Sequence, residues 1–325
     1  MTRTNRPRYA ARLNAFRAGL TRPGTDDLIA RAASVRGMDA ADLNFPDHFE
    51  GTTPAALSAT LARHGMALNG LAMRYYTDPG FRLGAFTHPD PRLRRAAIDL
   101  TRRGLDAAQE MGASVMTLWL GQDGVDYSFQ GDFTRMWEDT VAALAEVADH
   151  APGLPVAVEY KPSEPRAFAL LPDMATTLLA LAEAGRPNLG VTVDFAHVLF
   201  AGEIPAQVAR LAARHSRILG VHLNDGYGKR DDGLMAGSVH PVQTVELFVE
   251  LARMNYDGVI YFDTFPDHGG LDPVAEAETN IAMTDRLRAV AAGLARDPAL
   301  SAAIAAQDAA ASLRIVAAAL YGGQG

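Results

Sequence analysis

The sequence predicts an α/β fold: a (β/α)8 TIM barrel with a C-terminal helical extension. Three observations carry this. Eight short β-rich runs recur along the 325 residues. Segments with apolar residues at helical spacing lie between them. The phosphate-cradling glycine motifs of nucleotide-binding open sheets are missing. Alternation of strand and helix argues for a parallel sheet, and eight units favour closure into a barrel.

The runs are "RYAARLNAF" (8–16), "ADLNFP" (41–46), "MALNGLAMR" (66–74), "ASVMTLWL" (113–120), "PVAVEY" (155–160), "LGVTVDF" (189–195), "ILGVHLN" (218–224) and "GVIYFDTF" (258–265). Helical spacing is clearest over 91–112 and 133–151, and 270–294 is the expected last barrel helix. The stretch "ALSAAIAAQDAAASLRIVAAALYGGQG" then reads as an Ala-rich helix whose bulky apolar residues are Leu300, Ile304, Leu313, Val316 and Leu320. It either packs across the barrel or docks another subunit. The expected organisation is a catalytic barrel over 1–295 and an extension over 296–325, with no second domain.

Composition narrows the function. A hydrophobic content of 48% supports a large core. The chain has no cysteine, so a metal must be held by oxygen and imidazole. The net charge of −8 and the lack of a basic run speak against a nucleic-acid partner. The N-terminal stretch "MTRTNRPRYAARLNAF" is basic but lacks an apolar signal core. No stretch approaches the roughly 20 apolar residues of a membrane span. The expectation is a soluble, cytoplasmic protein with no membrane partner.

The active site of such a barrel forms at the C-terminal ends of its strands. The fifth run ends in Glu159, followed by Lys161. The sixth ends in Asp194, with His197 three residues on. The seventh ends in His222, followed by Asn224 and Asp225, and the eighth ends in Asp263. Three carboxylates aimed at one spot repel one another unless a cation joins them. Each residue also has an ordinary reading: Asp194 or Asp263 as a helix N-cap, His222 as a satisfied core histidine. Glu159 is harder to place that way, because "VAVEY" buries it in an apolar run. One such residue on each of four consecutive strands points to a shared divalent metal, Mn²⁺ first, with Mg²⁺, Co²⁺ or Zn²⁺ as alternatives.

The segments "VEYKPSEPR", "VTVDFAH", "VHLNDGYGKRDDGLMAGSVH" and "YFDTFP" resemble the xylose isomerase-like barrels, which include L-rhamnose isomerases, ketose 3-epimerases and the catalytic subunits of C-glycoside deglycosidases. "ADLNFPDHF" and "LWLGQDGVDYSFQGDF" are similar to that family's second-strand and fourth-strand loops. The resemblance implies Glu159, Asp194, His222 and Asp263 as ligands of the principal metal, with Lys161 and His197 facing substrate or metal. Two-metal members resemble "DDDL" after the seventh strand. Here "RDDGL" keeps Asp231 but places Gly233 at the third aspartate. His197 and Asp231, even with Asp232 or water, make a thin second site, so one firm metal is expected.

The expected chemistry is proton transfer at carbon next to a carbonyl, with Glu159 or Asp263 as base and Lys161 and His197 neutralising the oxyanion. Trp119, Tyr127 and Phe129 are candidate stacking residues for a sugar ring. His48, Gln122 and Asp123 are candidate hydroxyl partners, although each is equally an ordinary packing or loop residue. The first reading is a sugar isomerase or epimerase, acting on a small carbohydrate as a homo-oligomer. The alternative is a deglycosidase subunit acting on 3-oxo-glycosides, a lyase reaction, beside a small β-rich partner. A barrel endonuclease would need more metal ligands and a basic face.

Overall fold

The computed structural model describes residues 7–322. The first six residues of the basic N-terminal stretch and the last three of the C-terminal one lie outside the described residues. Eight parallel strands form a closed barrel: β1 (Tyr9–Arg12), β2 (Ala40–Phe45), β3 (Ala67–Met73), β4 (Val115–Trp119), β5 (Val156–Glu159), β6 (Leu189–Asp194), β7 (Ile218–Leu223) and β8 (Ile260–Phe262). Each pairs with its sequence neighbours, and β8 closes on β1 through Ala10 beside Tyr261. Every strand lies within the run that predicts it or starts one residue before it. The first and last are shorter than expected, because Leu13–Arg17 winds into a 3-10 helix and the chain leaves the ladder at Asp263.

The helices outside the barrel are α1 (Thr25–Ala33), α2 (Pro54–Arg63), α3 (Pro91–Met111), α4 (Phe133–His150), α5 (Met174–Ala184), α6 (Pro205–His215), α7 (Pro241–Arg253) and α8 (Pro273–Leu294). Their ends follow from local chemistry. Asp90 caps α3 with Pro91 at its first position, and the helix stops at Gly112 in the left-handed region at φ 69°. Asp272 and Pro273 start α8 in the same way. None of the described helices is long and apolar enough to cross a membrane.

The C-terminal stretch is two helices where one is expected: α9 (Pro298–Ala305) and α10 (Ala309–Tyr321). Gln307 takes φ 53° and the Asp308 side chain accepts from the Ala311 amide, so the chain breaks and restarts. Leu300, Val316 and Leu320 pack on the core, whereas Ile304 and Leu313 stay exposed.

Period-two alternation along the strands sorts the interior into two environments. Leu71 and Met73, Met116 and Leu118, Val191 and Val193, and Ile260 and Phe262 join the large apolar cluster. The residues between or beyond them face the barrel axis. Ala72 and Arg74, Thr117 and Trp119, and Tyr261 and Asp263 line one cavity. The barrel is therefore greasy outside, against its helices, and polar inside near the C-terminal rim.

The loop after β7 is shaped by Asp225, which is fully buried. Its carboxylate accepts from the amides of Gly226, Val239 and His240 at 2.8–2.9 Å and pairs with His240 Nδ1 at 2.8 Å. Its backbone bridges Leu234 in both directions at 2.9 Å. Asp225→Ala strands these donors, and we expect a loss of about 2–4 kcal/mol in urea unfolding. A change under about 0.5 kcal/mol, the size of an ordinary surface substitution, would contradict this role.

Candidate metal centre and active-site cavity

Glu159 ends β5, Asp194 ends β6, His222 lies near the end of β7, and Asp263 follows β8. Asp194 and His222 are register partners, so their side chains leave the sheet on the same face. One ligand atom from each of the four residues lies within 4.8 Å of those of the other three. His222 Nδ1 is 3.1 Å from Glu159 Oε1 and 3.9 Å from Asp194 Oδ2.

Asp194 combines the two readings open to it. Its Oδ1 accepts from the His197 amide and caps the short helix Phe195–Phe200, while both oxygens also accept from Asn224 Nδ2 at 3.1–3.2 Å. Asn224 is fully buried and its own Oδ1 accepts from the Ala196 amide at 2.8 Å. The carboxylate is thus oriented from two sides.

The electrostatics show a centre short of positive charge. Burial raises Asp194 to about 7 against the pull of His197, and Glu159, Asp231 and Asp263 add to the rise. Burial also raises Asp263, with Arg12 opposing and Glu159 reinforcing it. Burial would lower both histidines, but the surrounding carboxylates outweigh it. His222 rises to about 9, chiefly through Glu159, and His197 to about 10, through Asp194 and Asp231. Glu159 is raised by burial yet ends below its ordinary value because His222 and His197 face it. Asp263 Oδ1 and His197 Nδ1 are buried without hydrogen-bond partners. Three carboxylates and an imidazole crowded together in this way are a donor set suited to a divalent cation.

Glu159, His222 and Asp263 line a cavity of about 410 Å³, within the range of small-molecule sites. On one side His197 Nε2 stands 3.1 Å from Asp231 Oδ2, and Lys161 Nζ reaches the same oxygen at 3.4 Å. Lys161 also pairs with Glu164 at 3.3 Å and sits 4.6 Å over the Trp119 ring. The charges of His197 and Lys161 hold Asp231 down at about 2, against burial.

A profile of the xylose isomerase-like TIM barrel family matches residues 29–287. The chain belongs to the xylose isomerase-like TIM barrel family. Xylose isomerase of Thermus thermophilus is 28% identical over 228 residues, covering 66% of this chain and 58% of that enzyme. The chain therefore spans little more than half the length of that curated relative. Among solved structures, an L-ribulose 3-epimerase superposes with a TM-score of 0.67 at 17% identity, over 90% of this chain and 96% of the other. A D-allulose 3-epimerase from Methylomonas sp., in complex with D-allulose, gives 0.62 at 20% identity, over 87% and 94%. At these identities the structural likeness is one of fold.

Within this family barrel, several expected substrate residues lie away from the cavity. His48 is buried, but its Nδ1 accepts from the Asn44 amide at 2.9 Å and its Nε2 meets Asn14 Oδ1 at 3.0 Å, so it fastens the loop after β2. Asp123 accepts from the amides of Ala85 and Thr87 and from the Thr87 hydroxyl, pinning a neighbouring loop. Gln122 is half-buried beside it and does not line the cavity. Tyr127 and Phe129 stand exposed on the same loop, after the small ladder of Gly124–Val125 with Phe168–Ala169, and neither lines the cavity. Of the six, the structure brings only Trp119 to the cavity. It adds Arg12, Arg74, Tyr76, Tyr261, Phe265 and His268, none of which is an acid or imidazole ending an apolar run. Alternation with Ala10 and Ala72 could have found the two arginines.

At the expected thin second site, His197 and Lys161 both meet one oxygen of Asp231, and its other oxygen is buried without a hydrogen-bond partner. Lys161 puts its ammonium on Asp231, and Asp232 turns away to the Tyr227 amide and Arg230. Gly233 is also more than a missing ligand. It sits at φ +57°, and a Cβ there would stand 2.2 Å from the Phe265 ring. An aspartate at that position is therefore no simple gain of a ligand. We expect Gly233→Asp to lower stability by about 2 kcal/mol or more without adding a second metal. Thermal melting and metal titration of the variant check both parts.

Proposed function

We propose that this chain is a divalent-metal-dependent sugar isomerase or epimerase that moves a proton at the carbon next to a carbonyl. The observation that carries the reading is the quartet Glu159, Asp194, His222 and Asp263, gathered at the mouth of the barrel with a buried Asp263 oxygen that has no hydrogen-bond partner. Bound there, Mn²⁺ (or Mg²⁺, Co²⁺ or Zn²⁺) would supply Lewis-acid polarisation of the substrate carbonyl. The isomerase and epimerases among its relatives favour this reading over the deglycosidase one. In this reading residues 1–295 are the catalytic unit and 296–325 an extension.

The protein's own groups divide the remaining work. Glu159 is held in place by His222 and is kept below its ordinary value despite burial, as a base requires. Asp263 brings a second carboxylate to the same centre, with one oxygen that has no hydrogen-bond partner. Either carboxylate, through an oxygen not engaged elsewhere, can serve as the base. Lys161 and His197 place positive charge where an oxyanion develops, and Trp119 walls the cavity for a sugar ring.

Two measurements test the reading. Elemental analysis should find about one metal per chain, as one oxygen–nitrogen site requires, with activity lost on chelation and regained on refilling. Asp194→Ala and His222→Ala should each weaken metal binding by about tenfold or more, since even changes behind the ligands cost about 10–100-fold. Full activity after chelation would end the proposal. In D₂O, solvent deuterium should enter the substrate carbon next to the carbonyl. Glu159→Gln, assayed at saturating metal, should slow that exchange by about 10²–10⁴-fold. Complete retention of the substrate hydrogen over many turnovers would point instead to a hydride shift.

A further inference from the structure

Arg74 follows β3, and its amide donates to the Phe45 carbonyl at 2.9 Å. Alternation from Ala72 turns its side chain into the cavity. The guanidinium rests 5.5 Å from the Tyr76 ring centroid, and Tyr76 meets Trp119 edge-on at 5.3 Å. Lys161 sits on the far ring of that pair. The two aromatic residues thus carry two cations along one wall, facing the carboxylate centre.

The cations differ in what they hold. Lys161 is engaged by Asp231 and Glu164, and Arg12 by Asp267, with Asp263 at 3.6 Å. Among the described residues no carboxylate comes within the 4.0 Å of an ion pair with Arg74. Its Nε is buried and has no hydrogen-bond partner. Burying one guanidinium donor without a partner is unfavourable, and Arg offers five donors in a planar fork that matches a carboxylate. Cation–π contact with Tyr76 offsets only part of that cost.

We propose that Arg74 receives a carboxylate of the substrate, so that the sugar handled by this site is a sugar acid. This rests on the metal-dependent sugar reading above and narrows it to an anionic class. A single fork with one free charge suits a carboxylate better than a phosphate. Phosphate sites usually add a glycine-rich loop or a helix N-terminus, and the sequence shows no such glycine motif. Anchored at Arg74, the substrate would lie across the aromatic wall with its carbonyl end toward Glu159 and Asp263.

The test is calorimetric titration of the metal-loaded full chain with three matched probes: D-fructose, D-fructuronate and D-fructose 6-phosphate. These differ only at the sixth carbon. Fructuronate should bind about tenfold or more tightly than fructose, as a charge-assisted bidentate contact provides. Arg74→Gln should abolish that ratio, and Arg74→Lys should keep part of it. The ratio is taken within each variant, so a general loss of affinity does not move it. Equal affinities for fructose and fructuronate, a preference for the phosphate, no binding of any probe, or a ratio surviving in Arg74→Gln would each overturn the proposal. Metal content and solvent exchange are measured separately, so the broader function can stand when this inference fails.

Discussion

The rest of the site depends on one constraint: three carboxylates must share the rim of a barrel that excludes most water. Two unit charges about 5 Å apart repel by roughly 3 kcal/mol at an effective dielectric constant near 20. Glu159, Asp194 and Asp263 have ligand atoms within 4.8 Å of one another, and Asp231 stands close behind. The surrounding side chains answer that repulsion. His222 and His197 are drawn to values of about 9 and 10, Lys161 sits on Asp231, and Arg12 sits beside Asp263. A group that neutralises this centre is therefore structural as well as chemical, and a dication does so at a single point.

Orientation supports the charge balance. Asn224 grips both oxygens of Asp194 and ties the start of the helix Phe195–Phe200 to the end of β7. One residue further on, Asp225 leaves the cavity altogether and holds its own loop together. Adjacent polar residues after one strand thus split between positioning the centre and closing the loop beside it. Sequence order alone does not separate these jobs, because both residues follow the same apolar run.

This explains what was legible beforehand. The barrel and its eight strands could be read because period-two runs between helical segments leave few alternatives. That Glu159, Asp194, His222 and Asp263 come together could be read because each interrupts or ends an apolar run at the same edge. His48 and Asp123 have the chemistry of site residues, but their donors and acceptors are spent on backbone groups and side chains of nearby loops. Such long-range hydrogen bonds leave no mark in the sequence around them. Gly233 looks like a deleted ligand on paper, and only the Phe265 ring shows that the position is also sterically closed.

The cavity also has a polarity along its width. Glu159, Asp194 and Asp263 come from β5, β6 and the end of β8, whereas Arg12 ends β1 and Arg74 follows β3. The aromatic pair Tyr76 and Trp119 joins the two sides, carrying Arg74 on one ring and Lys161 on the other. A neutral, symmetric ligand would gain little from such a gradient. A ligand with a negative end and a polarisable carbonyl would be oriented by it before any proton moves, and orientation alone removes a large part of the barrier to a two-centre reaction. Glu159, Asp194 and Asp263 on one side and Arg12 and Arg74 on the other all lie within one residue of a barrel strand, so the sheet itself sets the distance between them.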